Sequence, residues 1–190
     1  MLTLTPADRL KRLRDPAMRQ RIIAEESSEK LLSILPPLQR PIATRWDRQY
    51  LLGDPPNYEP APERSIAAMA AKTNLSPAEF CYDYLVGENG DRMLFFPVTN
   101  YVVGDHGPIR EMLLDSGTIL GLSDGGAHCS SIIDAGVPSF MLTHWGRSRK
   151  RGPGLPLELL VKRQTADTAG FFGFHDRGRL QPGLRADLNI

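Results

Sequence analysis

The sequence predicts an α/β fold in which parallel strands are joined by crossover helices. Two short apolar runs, residues 93–96 and 119–122, are each bounded by turn residues, as buried strands are. Helical patterns precede and separate these runs, so the middle of the chain alternates helix, strand, helix, strand. That order is typical of a parallel sheet, because a chain that returns to the same sheet needs a crossover segment.

Most helices are predicted from their start signals. Thr5 and Asp15 each precede a proline and can cap a helix, since their side-chain oxygens accept from free N–H groups of the first turn. Ser76 and Glu79 form a capping box around a proline, which is the clearest start signal in the chain. The other predicted helices cover residues 65–72, 108–114, 138–145 and 155–169, and residues 41–47 are expected to contain a short strand.

Composition excludes several classes of protein. The chain has 190 residues, 23 of them basic and 22 acidic, with a net charge of +1. No strong field therefore favours nucleic acid or an anionic membrane, and neither partner is expected. The two cysteines, Cys81 and Cys129, lie far apart, which argues against a disulfide framework and favours a reducing, cytoplasmic compartment.

The most informative stretch is the end of the second apolar run. Residues 119–122 are followed by Asp124, two glycines and His128. Proteins of the α/β class place their chemistry at the C-terminal ends of strands, where a carboxylate can bind a metal or accept a proton. The same residues can also form an ordinary turn from strand to loop, so the residues alone leave both interpretations open.

Residues 122–128, Leu-Ser-Asp-Gly-Gly-Ala-His, and the closing segment 178–188 resemble the metal-dependent amidohydrolase superfamily, specifically its D-aminoacylase (N-acyl-D-amino-acid deacylase) branch. Asn100-Tyr101, residues 144–147 and residues 46–55 carry the same likeness, which extends over essentially the whole chain. The resemblance implies an imperfect (β/α)8 TIM barrel. Residues 1–175 would be the C-terminal portion of that barrel, and residues 176–190 the start of an incomplete small β-domain.

The resemblance also implies a reaction, the hydrolysis of the amide bond of N-acyl D-amino acids with bound zinc. Asp124 matches the aspartate that lies beside the metal in this family, so it is the expected metal ligand and general base. Zinc lowers the pKa of its bound water toward neutrality, and a neighbouring carboxylate can take the proton and pass it to the leaving nitrogen. His128, Tyr101 and Arg147 are the expected substrate-binding residues. The expected partner is a small-molecule amide substrate, and association into a homo-oligomer is left open.

Two departures from the family pattern qualify this expectation. The family has a His-x-His motif among its zinc ligands, whereas the four histidines here, at positions 106, 128, 144 and 175, include no such pair. A zinc site needs three or four protein ligands, so we expect the remaining ligands outside this chain, which would be inactive and poorly stable alone. The arginine that follows the aspartate in the best-known D-aminoacylases is also absent from residues 129–136.

Two alternatives remain at this stage. A cyclic-amide hydrolase of the hydantoinase or dihydroorotase type shares the aspartate and the closing segment, although Asn100-Tyr101 and residues 144–147 favour the deacylase branch. A non-catalytic scaffold that kept the fold and lost the metal is the alternative from another class. A His-x-His motif in preceding sequence would support the enzyme over the scaffold.

Overall fold

The computed structural model describes residues 3–25, 33, 40–121, 123, 125–126 and 134–189. Helices and one small sheet are the regular elements among these residues, which confirms a mixed α/β composition and neither shows nor excludes a TIM barrel. The chain divides into two compact units, residues 1–105 and 106–190. In the described part, no helix is both long and apolar enough to cross a membrane.

The first unit is mainly helical, and its helices begin where the capping residues predict. Thr5 accepts from the Asp8 N–H at 3.2 Å, and Asp15 accepts from the Met18 N–H at 2.9 Å. The capping box of Ser76 and Glu79 is formed in both directions. The helices are α1 (Pro6–Leu13), α2 (Pro16–Ala24), α3 (Arg40–Thr44), α4 (Ile66–Ala70) and α5 (Pro77–Leu85), with 3₁₀ turns at Trp46–Arg48 and Pro62–Arg64.

The sheet of the first unit has two antiparallel strands, β1 (Tyr50–Leu52) and β2 (Met93–Phe95), with Tyr50 opposite Phe95. The strand predicted at residues 93–96 is confirmed. The strand predicted within residues 41–47 is wrong, because that segment forms α3 and a 3₁₀ turn, and β1 follows it. The expected parallel pairing is not seen among the described residues, since the paired runs are β1 and β2, which antiparallel hydrogen bonds join directly.

The core of the first unit forms around β1 and α4. Ile66 is fully buried, and its N–H donates to the Gln49 carbonyl oxygen at 2.7 Å. Tyr101 is also buried, with its ring edge against Tyr50 at a centroid distance of 6.2 Å. The Tyr101 hydroxyl donates to the Pro60 carbonyl oxygen at 2.6 Å, so the loop before Pro62 is fixed to this core.

The second unit consists of helices with two wide π-type segments. Its helices are α6 (Gly107–Leu114), α7 (Val137–Phe140), α8 (Leu157–Lys162) and α9 (Thr168–Phe171), with π-type segments at Met141–Ser148 and Arg163–Asp167 and a 3₁₀ turn at Asp134–Gly136. The predicted helices at 108–114, 138–145 and 155–169 are confirmed, the last two with wide turns. Its core contains Met141, Trp145, Leu155 and Leu160.

The segment leading to Asp124 differs from the prediction. Residues 118–121 form neither helix nor strand, and Leu122 lies outside the described residues. A strand requires hydrogen bonds to a neighbouring strand. Here the carbonyl oxygens of Asp115 and Thr118 instead accept from the buried Arg163 guanidinium, at 2.6 and 2.7 Å.

Candidate metal centre

Two of the four predicted site residues, Asp124 and His128, lie outside the described residues. Their described neighbours show why glycine occurs in this motif. A Cβ at Gly125 would lie 2.7 Å from the Ala135 Cβ and 2.9 Å from its Cα, which is too close. Gly126 has a φ of +114°, a conformation that residues with a side chain rarely adopt. The described backbone therefore favours glycine at positions 125 and 126.

The other two predicted site residues have different environments. Tyr101, in the first unit, is 3% exposed, and its hydroxyl is engaged by Pro60. This burial makes Tyr101 a core residue of its unit. Arg147, in the second unit, is exposed on the π-type segment Met141–Ser148, where its side chain is accessible to an anionic group.

The second unit contains a pair of histidines that the sequence did not single out as ligands. His106 Nδ1 lies 3.3 Å from His144 Nε2, and the two ring planes are inclined at 77°. His106 is buried, with 8% of its surface exposed, and immediately precedes α6. His144 lies in the π-type segment, an irregular helical geometry that frequently occurs at functional sites.

Aromatic side chains fix both imidazoles. Phe140 stacks on His144 with ring centroids 4.7 Å apart and planes 8° apart. The buried Trp145 ring packs edge-on against His144 at 5.3 Å and lies 5.9 Å from His106. Arg149 covers Trp145 at 4.8 Å and donates to the Pro153 carbonyl oxygen. This packing limits rotation of the two imidazoles.

The backbone around the histidines is closely packed. The Arg149 N–H donates to the His144 carbonyl oxygen at 2.9 Å, a bond that spans five residues and widens the helix. The Leu155 N–H donates to the Trp145 carbonyl oxygen at 2.8 Å. A Cβ at Gly154 would lie 2.5 Å from that same oxygen, so only glycine permits this approach.

Glu59 is the third residue of interest. It is buried, with 3% of its surface exposed, and its N–H donates to Asn57 Oδ1 at 3.0 Å. Glu59 and His106 are buried, and with His144 they are residues of the types that could hold a metal ion. The identity of such a metal is not shown. One carboxylate and two imidazoles are a common donor set for zinc.

Sequence reasoning missed this group for a specific reason. The three residues lie far apart in the chain and form no short motif such as His-x-His. His106 and His144 were visible only as single histidines, each next to glycine or tryptophan, and Glu59 stood in a proline-rich segment. Only the fold brings the two histidine rings together.

The first unit also contains an open cleft of about 1000 Å³. Its lining includes Arg64, Arg92 and Asp54. Arg92 is paired with Glu88 and covers the Tyr84 ring at 4.9 Å. The lining therefore carries both signs of charge and does not select one class of ligand.

No family model matches this sequence, and neither a curated protein nor a solved structure matches it.

Proposed function

We propose that this chain is part of a zinc-dependent amidohydrolase with an imperfect TIM-barrel fold that hydrolyses N-acyl D-amino acids. The observation that carries this proposal is the sequence of residues 122–128, in which a carboxylate follows an apolar run and precedes two glycines. The crowding at Gly125 and the positive φ of Gly126 support it, because both favour the two glycines of this motif. The closing segment 178–188 agrees with the same family.

In this proposal Asp124 binds the metal and acts as general base. Zinc supplies a water of lowered pKa, which is the nucleophile at neutral pH. The Asp124 carboxylate would take a proton from the attacking water as the water oxygen bonds to the amide carbon, and would return that proton to the nitrogen as the C–N bond breaks. His128 and Arg147 are proposed to contact the substrate, Arg147 as the cation that is exposed and accessible to a carboxylate.

A hydrolase of this kind needs at least three protein ligands for its metal, and a lone aspartate cannot provide them. In this proposal the remaining metal ligands are residues other than Asp124.

The test is turnover by the protein at its full coding length, loaded with zinc, on N-acetyl D- and L-amino acids. We expect hydrolysis of the D series, and a loss of about 10²–10⁴-fold in kcat for Asp124→Asn. Asp115→Asn is the matched control, since Asp115 accepts from the Gly117 N–H at 2.6 Å and an amide oxygen can do the same. Wild-type turnover by Asp124→Asn would end the general-base assignment.

A hydantoin in the same assay separates the alternatives. Hydrolysis of the hydantoin and not of the N-acyl series would replace the deacylase by a cyclic-amide hydrolase. Absence of zinc binding together with no turnover of either substrate would replace the enzyme by a scaffold.

A further inference from the structure

We propose that a small cavity in the second unit binds a phosphate group, either the free ion or the phosphate of a small ester. The cavity has a volume of about 160 Å³, and its polar lining consists of His175, Arg177, Arg179 and Gln181. The inference is independent of the amidohydrolase proposal, which assigns no role to these four side chains.

The charge of the lining is the first reason for this assignment. Two arginines, a histidine and a glutamine line the cavity, and the described lining residues include no aspartate or glutamate. Arg179 is exposed, and no ion pair joins it to a carboxylate within the described part of the chain. An anion that enters the cavity is therefore attracted by Arg179 without competing with a carboxylate for it.

The second arginine has a different role, because its neighbours hold it in place. Arg177 donates from Nε and Nη2 to the two carboxylate oxygens of Asp176, at 2.9 and 3.1 Å. Its guanidinium carbon also lies 5.3 Å from the centre of the Phe174 ring. Since Asp176 compensates the charge of Arg177, Arg177 forms a fixed wall of the cavity, and Arg179 is the residue that we expect to bind the anion.

The backbone supports this lining on a packed surface. A Cβ at Gly178, between the two arginines, would lie 3.0 Å from the Ala169 Cβ and 3.1 Å from the Ala166 Cα, so this segment packs directly on the helical residues behind it. The loop is closed by the Arg185 N–H, which donates to the Asp176 carbonyl oxygen at 2.8 Å. Binding therefore requires little ordering of the backbone, which is one of the costs of association.

Size and donor geometry indicate the class of ligand. A water molecule in the liquid takes about 30 Å³, so the cavity has the volume of about five waters. This is below the roughly 300 Å³ of the smallest usual ligand pockets, so the cavity accepts one anionic group and not a whole nucleotide. Arginine presents a planar fork of donors that matches phosphate oxygens, and the Gln181 amide and His175 imidazole offer further N–H donors.

The test is calorimetric titration of the 190-residue chain with inorganic phosphate and with methyl phosphate, in the presence of a chelator so that no metal contributes. We expect one phosphate per chain, and binding at least about tenfold weaker in Arg179→Gln, because a hydrogen bond from a charged donor is lost. Arg9→Gln is the matched control, since Arg9 is an exposed arginine outside the cavity and its loss changes the net charge equally. No saturable binding by wild type, or an equal affinity in the two variants, would overturn the proposal.

Thermal unfolding separates loss of binding from loss of folding. Arg179 is exposed, so Arg179→Gln should keep the wild-type Tm without phosphate. Added phosphate should then raise the Tm of wild type and Arg9→Gln but not that of Arg179→Gln, because only a ligand that binds the folded state stabilises it. An equal rise in all three proteins would contradict a site at Arg179.

Competing anions identify the ligand. Acetate at the same ionic strength should bind more weakly than phosphate, because it carries less charge and fewer acceptor oxygens. Equal affinity for acetate and phosphate would overturn the assignment to a phosphate group. Tighter binding of methyl phosphate than of inorganic phosphate would support an ester as the ligand, and the reverse order would support the free ion.

Discussion

Arg163 Nη1 donates to the carbonyl oxygen of Thr118 at 2.7 Å and so ties the segment that leads to Asp124 to the π-type helix of the second unit. Arg163 is 7% exposed, and its Nη2 donates to the Asp115 carbonyl oxygen. One buried cation thus fixes the backbone at both ends of a short loop.

Replacing Arg163 by methionine should lower the free energy of unfolding by about 2–3 kcal/mol, because bonds from a charged donor are lost and two carbonyl oxygens lose their partner. The Arg163 Nε is buried without a hydrogen bond among the described residues, so its removal offsets part of this loss. Urea unfolding measures the change. Lys162→Met is the control: Lys162 is an exposed cation paired with Asp167 at 2.8 Å, and its loss should cost less than about 1 kcal/mol. Equal effects of the two variants would contradict the role given to Arg163.

A two-point ion pair joins α2 to α5 in the first unit. Arg19 donates from Nε and Nη2 to the two carboxylate oxygens of Asp83, at 2.7 and 2.8 Å. Because the Asp83 side chain is 43% exposed, Arg19→Ala should cost no more than about 1 kcal/mol, and the cost should shrink at high salt. Urea unfolding at low and high salt tests this prediction. A loss of unfolding free energy that is the same at both salt concentrations would contradict it.

Glu79 should make the stability of the first unit depend on pH. The pKa of Glu79 lies below its ordinary value of 4.5, first because the Ser76 N–H donates to the carboxylate, then because of the Ser76 side chain and Arg19. A lowered acid pKa stabilises the fold above the ordinary value, and this contribution disappears as pH falls through the folded-state pKa.

Glu79→Gln provides the comparison, since the amide oxygen can still accept from Ser76 but carries no charge. The difference in Tm between wild type and Glu79→Gln should be largest at neutral pH and should shrink as pH falls below 4.5. A difference that stays constant between neutral and acid pH would refute the prediction.

Gly125→Ala should destabilise the second unit by about 1–3 kcal/mol, the usual cost of forcing extra atoms into a packed site. The added Cβ would meet Ala135 Cα at 2.9 Å, so backbone must move. Gly121→Ala is the matched control, because a Cβ there has nothing within 4 Å. Thermal unfolding of both variants measures the difference. An equal Tm for the two variants would show that the contact between Gly125 and Ala135 is not tightly packed.

Local signals in the sequence predicted local structure well. Thr5, Asp15 and Ser76 act through hydrogen bonds that reach three residues along the chain, so a reader of the sequence can place their helices. The strand β1 could not be placed in this way, because its identity depends on pairing with β2, which lies about forty residues further along the chain.

The pair of His106 and His144 could not be predicted from local sequence signals either. The two histidine rings meet only after α6 and a widened helix are packed together, and no spacing rule connects positions 106 and 144. The motif at residues 122–128 was visible because its residues are adjacent. Whether Asp124 performs the chemistry expected of it stays a prediction.

The close approach of Gly154 to the Trp145 carbonyl oxygen has a practical consequence for protein engineering. Trp145 follows His144 directly, so the clearance between these two backbone segments sets where the imidazole can be. A saturation library at position 154, sorted for folded protein, would measure that clearance. We expect glycine alone to be recovered. The range of residues accepted at position 154 would show how rigidly the backbone next to His144 is packed.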